Sequence, residues 1–227
     1  LAFSSTYRDV YNFAGTLGTI PSAVATYGTA GRILTDLGVQ RGQRTAVLDP
    51  EAAHLIAQTV QTFFHPGPVQ ERNYRDGYLG GKQLGIYEWY EDQNRPLFTS
   101  GVATGASTPL VNGAAQTGAN MITDGWSGLT YVKGDTITLA GVFSVNPLSK
   151  VSTGRLQRFA LTAGGTDAAG AATLPITPSI ITSGAYQNVS GSPANNAVLT
   201  YWSMAAGGTL AATNHPTGMV FDPAAFG

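Results

Sequence analysis

The sequence predicts an α+β protein in two parts: a mixed helix–strand region over residues 1–100 and a β-only block over 101–214, followed by a strand-like return over 215–227. Three observations predict it. Charge collapses after residue 100. From Gly101 to Asn214 the only formal charges are Asp124, Lys133, Asp135, Lys150, Arg155, Arg158 and Asp167, seven in 114 residues with no Glu, whereas the hundred residues before carry seventeen. The apolar pattern changes at the same place, from helical spacing to short runs separated by turn residues. Finally, the Asp49-Pro50 break recurs as Asp222-Pro223 after a last apolar run, Gly218–Phe221. The position of this segment after the β block suggests that the chain returns to the first part.

Residues 1–20 are aromatic and Gly-punctuated without a sustained period, and read as a connecting segment. Pro21 fits the first turn of a helix, where its missing N–H costs nothing. Ala23, Val24, Tyr27, Ala30, Ile33, Leu34 and Leu37 form one apolar stripe at helical spacing. Gly38 sits where a left-handed cap would end that helix. Residues 44–48 read as a short buried strand. Asp49 as N-cap and Pro50 at the first helical position then open a helix to about Phe64, where Pro66 and Pro68 stop it. Its apolar face is Ala52, Leu55, Ile56, Val60 and Phe63. Residues 69–82 are polar, with Glu71, Arg72, Arg75 and Asp76 crowded around Tyr74. A strand follows over 84–90, bounded by Gly81 and by Glu91-Asp92.

In the β block, Pro109–Val111 leads into Asn112-Gly113, a hairpin-type dipeptide. Met121–Thr123, Leu129–Val132, Thr136–Val145, Leu156–Leu161, Ala172–Ile176 and Val198–Trp202 are the other strands. Turns at Lys133-Gly134-Asp135 and Gly164-Gly165 separate some of them. Short strands at this rhythm predict a small antiparallel barrel or sandwich.

Composition narrows the function. Charged residues are 11% of the chain, against about 25% in ordinary soluble domains. Small polar residues and Gly replace them. A net charge of −1 argues against a general nucleic-acid-binding surface. The absence of cysteine excludes disulfides, thiol catalysis and thiolate metal sites. No run approaches the eighteen or so apolar residues of a membrane-spanning helix.

Chemistry-bearing residues do not converge in the sequence. His54 and His65 are separated by a helix-breaking Pro66, and His215 is remote; the spacing fits no metal motif. Glu91 and Asp92, adjacent on a strand, point to opposite faces. The Gly-rich stretches 77–81 and 163–170 lack both the P-loop ending and the dinucleotide spacing, and read as turns. Asn188-Val189-Ser190 matches a glycosylation acceptor with nothing to indicate secretion. No site for a cofactor or metal is expected. Trp126, Tyr131, Tyr186, Tyr201 and Trp202 keep a second reading open, a β-rich tail, fibre or carbohydrate-binding module. An α/β enzyme, the third reading, lacks any nucleophile, base or metal set. The cluster Glu71, Arg72, Tyr74, Arg75 and Asp76 is the strongest polar feature, and its Arg and Tyr are the residue types that anchor inter-subunit contacts.

The ordered segments VQRGQRTAVLDPEAAHLIAQ, ERNYRDGYLGGKQLGIYEWYEDQN, VKGDTITLAGVFSVNPLSKVSTGRLQRFALTA, ITPSIITSGAYQNVS and NHPTGMVFDPAAFG resemble tailed-bacteriophage major capsid (coat) proteins of the P-twenty-two type, with the Hong Kong ninety-seven capsid fold. The resemblance spans roughly residues 30–227. It implies that 1–100 hold the end of the peripheral-domain approach and the axial domain, that 101–214 are an inserted antiparallel β-barrel domain, and that 215–227 return to the axial domain. It implies a partial subunit, with an N-terminal arm, extended loop and most of a spine helix before Leu1 and closing peripheral strands after Gly227. The implied function is structural and not enzymatic: self-assembly into an icosahedral phage head around double-stranded DNA. Implied partners are copies of the chain in pentamers and hexamers, a scaffolding protein, a portal, and DNA contacted without sequence specificity, with no membrane. The implied location is the virion capsid, assembled in the bacterial host cytoplasm.

Overall fold

The computed structural model describes residues 6–16, 18–61, 84–94, 96–202, 212 and 214–226. The chain divides into two compact units, Phe13–Phe98 with His215–Gly227, and Leu1–Asn12 with Thr99–Asn214.

The first unit is α+β. Helix α1 spans Val24–Asp36, starting later than Pro21 predicts: Ala23 is the extended N-cap, and no side chain caps it. Its end follows the sequence. Gly38 takes φ +83°, and the N–H groups of Gly38 and Val39 donate to the carbonyls of Thr35 (3.0 Å) and Leu34 (2.9 Å). This is the Schellman pairing, which gives partners to carbonyls the helix leaves open. Of the predicted stripe only Tyr27 is fully buried, whereas Ala23 and Leu37 are exposed. Strand β1 is Thr45–Leu48, and helix α2 is Pro50–Gln61. Pro50 takes the first helical position, and the Ala53 N–H donates to the Asp49 carbonyl at 3.0 Å. Ala52 and Ile56 of the predicted α2 face are buried, with Ala53 beside them. Phe63 lies outside the described residues.

Strand β2, Glu88–Glu91, begins four residues after its predicted start. The reason is local: Leu84 and Gly85 both have left-handed φ (+55° and +79°), which no strand accepts. Strand β1 is central in a three-stranded sheet. It runs parallel to β2, pairing Thr45 with Glu88 and Leu48 with Glu91. It runs antiparallel to β14, Met219–Phe221, pairing Thr45 with Phe221. The 215–227 segment therefore returns to this sheet. Tyr27, Ala46, Leu48, Ala53, Ile56 and Ile86 form the core, with Trp89 packed at its margin 5.5 Å from the Tyr27 ring. Arg44, just before β1, is also fully buried. Its guanidinium donates to the carbonyls of Gly31 (2.7 Å), Gln40 (3.1 Å) and Val39. A buried charge is tolerable only with such a set of acceptors.

Strand β3, Leu97–Thr99, pairs with β13, Asn214–Pro216, and the Thr99 hydroxyl donates to Asn214 Oδ1 at 2.7 Å.

The second unit is a β-barrel. Its strands are β4 (Val102–Ala103), β5 (Leu110–Val111), β6 (Gly118–Asp124), β7 (Leu129–Tyr131), β8 (Thr136–Val145), β9 (Ser152–Leu161), β10 (Gly165–Thr166), β11 (Ala172–Ile180) and β12 (Leu199–Tyr201). Six lie in the order β12-β8-β9-β11-β6-β5. The ends of that row meet. Leu110 bridges Val198, the Val111 N–H donates to Ala197 O and the Leu199 N–H to Pro109 O, both at 3.0 Å. Joining the edges leaves no long open edge on the sheet. Of barrel and sandwich, the structure is the barrel. Val111, Met121, Ile137, Leu139, Val142, Phe159, Leu161, Leu174, Ile176 and Val189 fill the interior, as side chains do in small barrels.

Strands β10, β7 and β4 form a separate antiparallel trio. β4 was not predicted. β10 corrects the predicted Gly164-Gly165 turn: Gly165 pairs with Tyr131, and a Cβ there would lie 2.5 Å from the Tyr131 hydroxyl. The predicted Asn112-Gly113 hairpin is a longer loop over residues 112–117, with the Gln116 side chain bonded to both Asn112 and Ile122. Thr6–Asn12, read as part of a connecting segment, fall within the second unit. There the Lys133 ammonium lies 2.6 Å from the Asp9 carboxylate.

Candidate functional site

Asp135 is the most constrained polar group among the described residues. It ends the Lys133-Gly134-Asp135 turn, where Gly134 has φ +98° and the Asp135 N–H donates to Val132 O at 3.2 Å. The residue is 2% exposed. It accepts the N–H of Gly101 (3.1 and 3.2 Å to its two oxygens), the N–H of Val132 (2.8 Å) and the hydroxyl of Tyr201. One carboxylate thus ties the beginning of the block, a β-turn and the last barrel strand. Burial pushes its pKa up, and the donors from Tyr201, Val132 and Gly101 pull the other way without cancelling the rise. Burial and then the charge of Asp135 push the Tyr201 hydroxyl up as well. Gly101 permits the approach: a Cβ there would lie 2.5 Å from Thr130 O and 2.8 Å from Asp135 Oδ2. Sequence reading passed over Asp135 as a turn residue. The available signal was its rarity, as one of seven charges in the block directly before a long apolar strand.

The outer end of the β8–β9 hairpin is apolar and held in place. Leu148 is 93% exposed, Val151 65%, and Tyr186 on a neighbouring loop 85%. Asn146 Oδ1 accepts the N–H groups of Leu148 and Ser149. The Lys150 ammonium donates to Ala185 O at 2.7 Å and Gln187 O at 3.3 Å, joining the hairpin to that loop. Side chains of this size in water at a fixed tip fit a contact surface better than a catalytic cleft.

The residues singled out in sequence fare differently. Glu71, Arg72, Tyr74, Arg75 and Asp76 lie outside the described residues, as do His65 and Gly77–Gly81. His54 is exposed on α2. Among the described residues no group of three or more His, Cys, Asp or Glu is placed to hold a metal ion. Glu91 and Asp92 are exposed, and Asp92 Oδ1 accepts the Asn94 N–H in a local turn. The 163–170 loop is folded on itself. Asp167 accepts the Leu129 and Gly170 N–H groups at 2.5 and 3.0 Å. Asn188 donates to Ser179 O and accepts the Ile181 N–H, so both ends of its amide are used inside the fold. Trp126, Tyr131 and Tyr201 are core residues, with Trp126 edge-on to Tyr201 at 6.0 Å. The Trp202 ring lies under the Arg158 guanidinium at 5.4 Å. No described helix is long and apolar enough to cross a membrane.

A nearly closed, filled barrel with an apolar tip, in a chain whose first unit is an α+β sheet, describes a protein that presents surfaces. The family model described as "P22 coat protein - gene protein 5" matches residues 18–210. The chain belongs to that family of phage coat proteins, whose role is structural and whose place is the virion capsid. Among solved structures, the CUS-3 coat protein I-domain is similar at 26% identity and a TM-score of 0.32, covering 43% of this chain and 96% of that one. A comparison with curated proteins finds no match.

Proposed function

We propose that the chain is part of a major capsid subunit that self-assembles into an icosahedral phage head around double-stranded DNA. The family match over residues 18–210 carries this reading. In it, the α+β unit is the axial domain of a Hong Kong ninety-seven-type subunit, meeting symmetry mates in pentamers and hexamers. The barrel is the inserted domain. The fixed apolar tip at Leu148, Val151 and Tyr186 supports a unit that meets other protein. Charge poverty in the block supports the same setting, since core interface surface is depleted of charge. A scaffolding protein, a portal and packaged DNA are the further partners, and assembly takes place in the host cytoplasm. A near-neutral chain would neither grip nor strongly repel the DNA. Within the cluster 71–76, Arg72 and Arg75 are the proposed inter-subunit anchors.

Co-expression of the full-length subunit with its scaffolding protein tests this. Sedimentation should show closed megadalton shells, and recovery of small soluble species alone would count against it. The carbohydrate-binding alternative loses its aromatic platform, because three of its five rings lie in the core.

A further inference from the structure

We propose that Asn112 is a deamidation site held latent by the fold, because side chains fix both ends of the Asn112–Gly113 peptide unit. This is the chain's one Asn-Gly pair, and glycine lacks the side chain that would hinder attack by its own backbone nitrogen. Asn112 is exposed. In the reaction the Gly113 nitrogen loses its proton to water and bonds to Asn112 Cγ. The Cγ–Nδ2 bond breaks and ammonia leaves with a proton from water, giving a succinimide. Water then opens the ring at either carbonyl, yielding an aspartyl or an isoaspartyl linkage. Overall one water is consumed and one ammonia released, and no oxidant or reductant is needed.

The fold opposes the first step at both atoms of the peptide unit. The Gly113 N–H donates to Asn195 Oδ1 at 2.8 Å. The Asn112 carbonyl accepts Gln116 Nε2 at 2.7 Å. Gln116 is itself anchored, donating to Ile122 O at 3.0 Å and accepting the Ile122 N–H at 2.7 Å. The Asn112 N–H donates to Ile122 O at 3.0 Å. Farther along, the Ala115 N–H donates to Pro193 O (3.1 Å) and the Asn196 N–H to Val111 O (2.9 Å), holding the two loops together. Bringing the Gly113 nitrogen onto Cγ requires it to give up its proton and the peptide plane to turn. Both break bonds that only the folded chain makes. The sequence alone marks the dipeptide as labile; Asn195, 82 positions away, is what restrains it.

Peptide mapping by mass spectrometry, with isoaspartyl detection, follows residue 112 in the full chain incubated at mildly alkaline pH. Native chain should convert more slowly than chain held in urea. Asn195→Ala and Gln116→Ala should each accelerate conversion in buffer by roughly five-fold, the population change expected for one lost hydrogen bond. Asn195→Asp keeps the Oδ1 acceptor and should retain protection. Equal rates in native and urea-held wild type would overturn the proposal, and that comparison needs no variant. Unchanged rates in a folded Asn195→Ala chain would do so too.

Discussion

Replacing Asp135 by Ala should destabilise the barrel by about 3 kcal/mol. Three donors lose their acceptor: the N–H groups of Gly101 and Val132 and the Tyr201 hydroxyl. Each buried donor left unsatisfied costs about 1–3 kcal/mol, so the loss is roughly 3–9 kcal/mol before any gain. The gain is relief from burying a carboxylate, itself several kcal/mol, which brings the net toward the lower end. Asp135→Asn keeps one oxygen where the donors converge and should cost only about 1 kcal/mol. The sign with pH is also fixed. The carboxyl pKa is raised in the native state above its ordinary 3.8, so the folded chain binds more protons than the unfolded chain between the two values. The associated stability is fully present below 3.8 and is lost as pH rises through the folded pKa. The wild-type advantage over Asp135→Asn should therefore shrink as pH increases across that window. Urea unfolding monitored by fluorescence gives both numbers, with Trp126 packed on Tyr201 as an internal reporter. Asp135→Ala within about 0.5 kcal/mol of wild type, or Asn as damaging as Ala, would refute the clasp.

Gly101→Ala should cost about 2 kcal/mol in the same assay, because its Cβ would press to 2.9 Å or less on Thr130 O, Asp135 Oδ2 and Tyr131 Cα. Arg44→Met, which fills similar volume but strips the donors from the carbonyls of Gly31, Val39 and Gln40, should lower the stability of the α+β unit by about 2–3 kcal/mol; a melt showing no loss would mean water replaces the guanidinium. Arg72→Glu with Arg75→Glu should reduce shell yield while leaving circular dichroism and melting unchanged, and full yield would mark the cluster as a solvated loop.

What the sequence made legible was local. Asp49-Pro50 set a helix start and Gly38 a helix end through their own backbone preferences, and both appear where expected. The long apolar strand Thr136–Val145 appears at its predicted bounds because its period survives two register shifts against β9. Features that depend on distant partners were not legible. β4 and β10 are two-residue strands of Gly, Ala, Val and Thr, too short to carry a period, and they form by pairing with β7. The Asn112-Gly113 turn signal was overridden by one glutamine side chain. Asp135 gained its role from Gly101, 34 positions before it, and Tyr201, 66 positions after it. Coat-protein membership came from the order of whole segments, which no single residue carries.

On the proposed reading, this chain forms part of the wall of a phage head. A cryo-electron-microscopy reconstruction of the native particle tests it most directly. The account predicts an icosahedral shell in which the barrel of residues 99–214 fits density in every subunit. A shell whose subunits have no barrel-sized density, or barrel density found only in the tail, would contradict it.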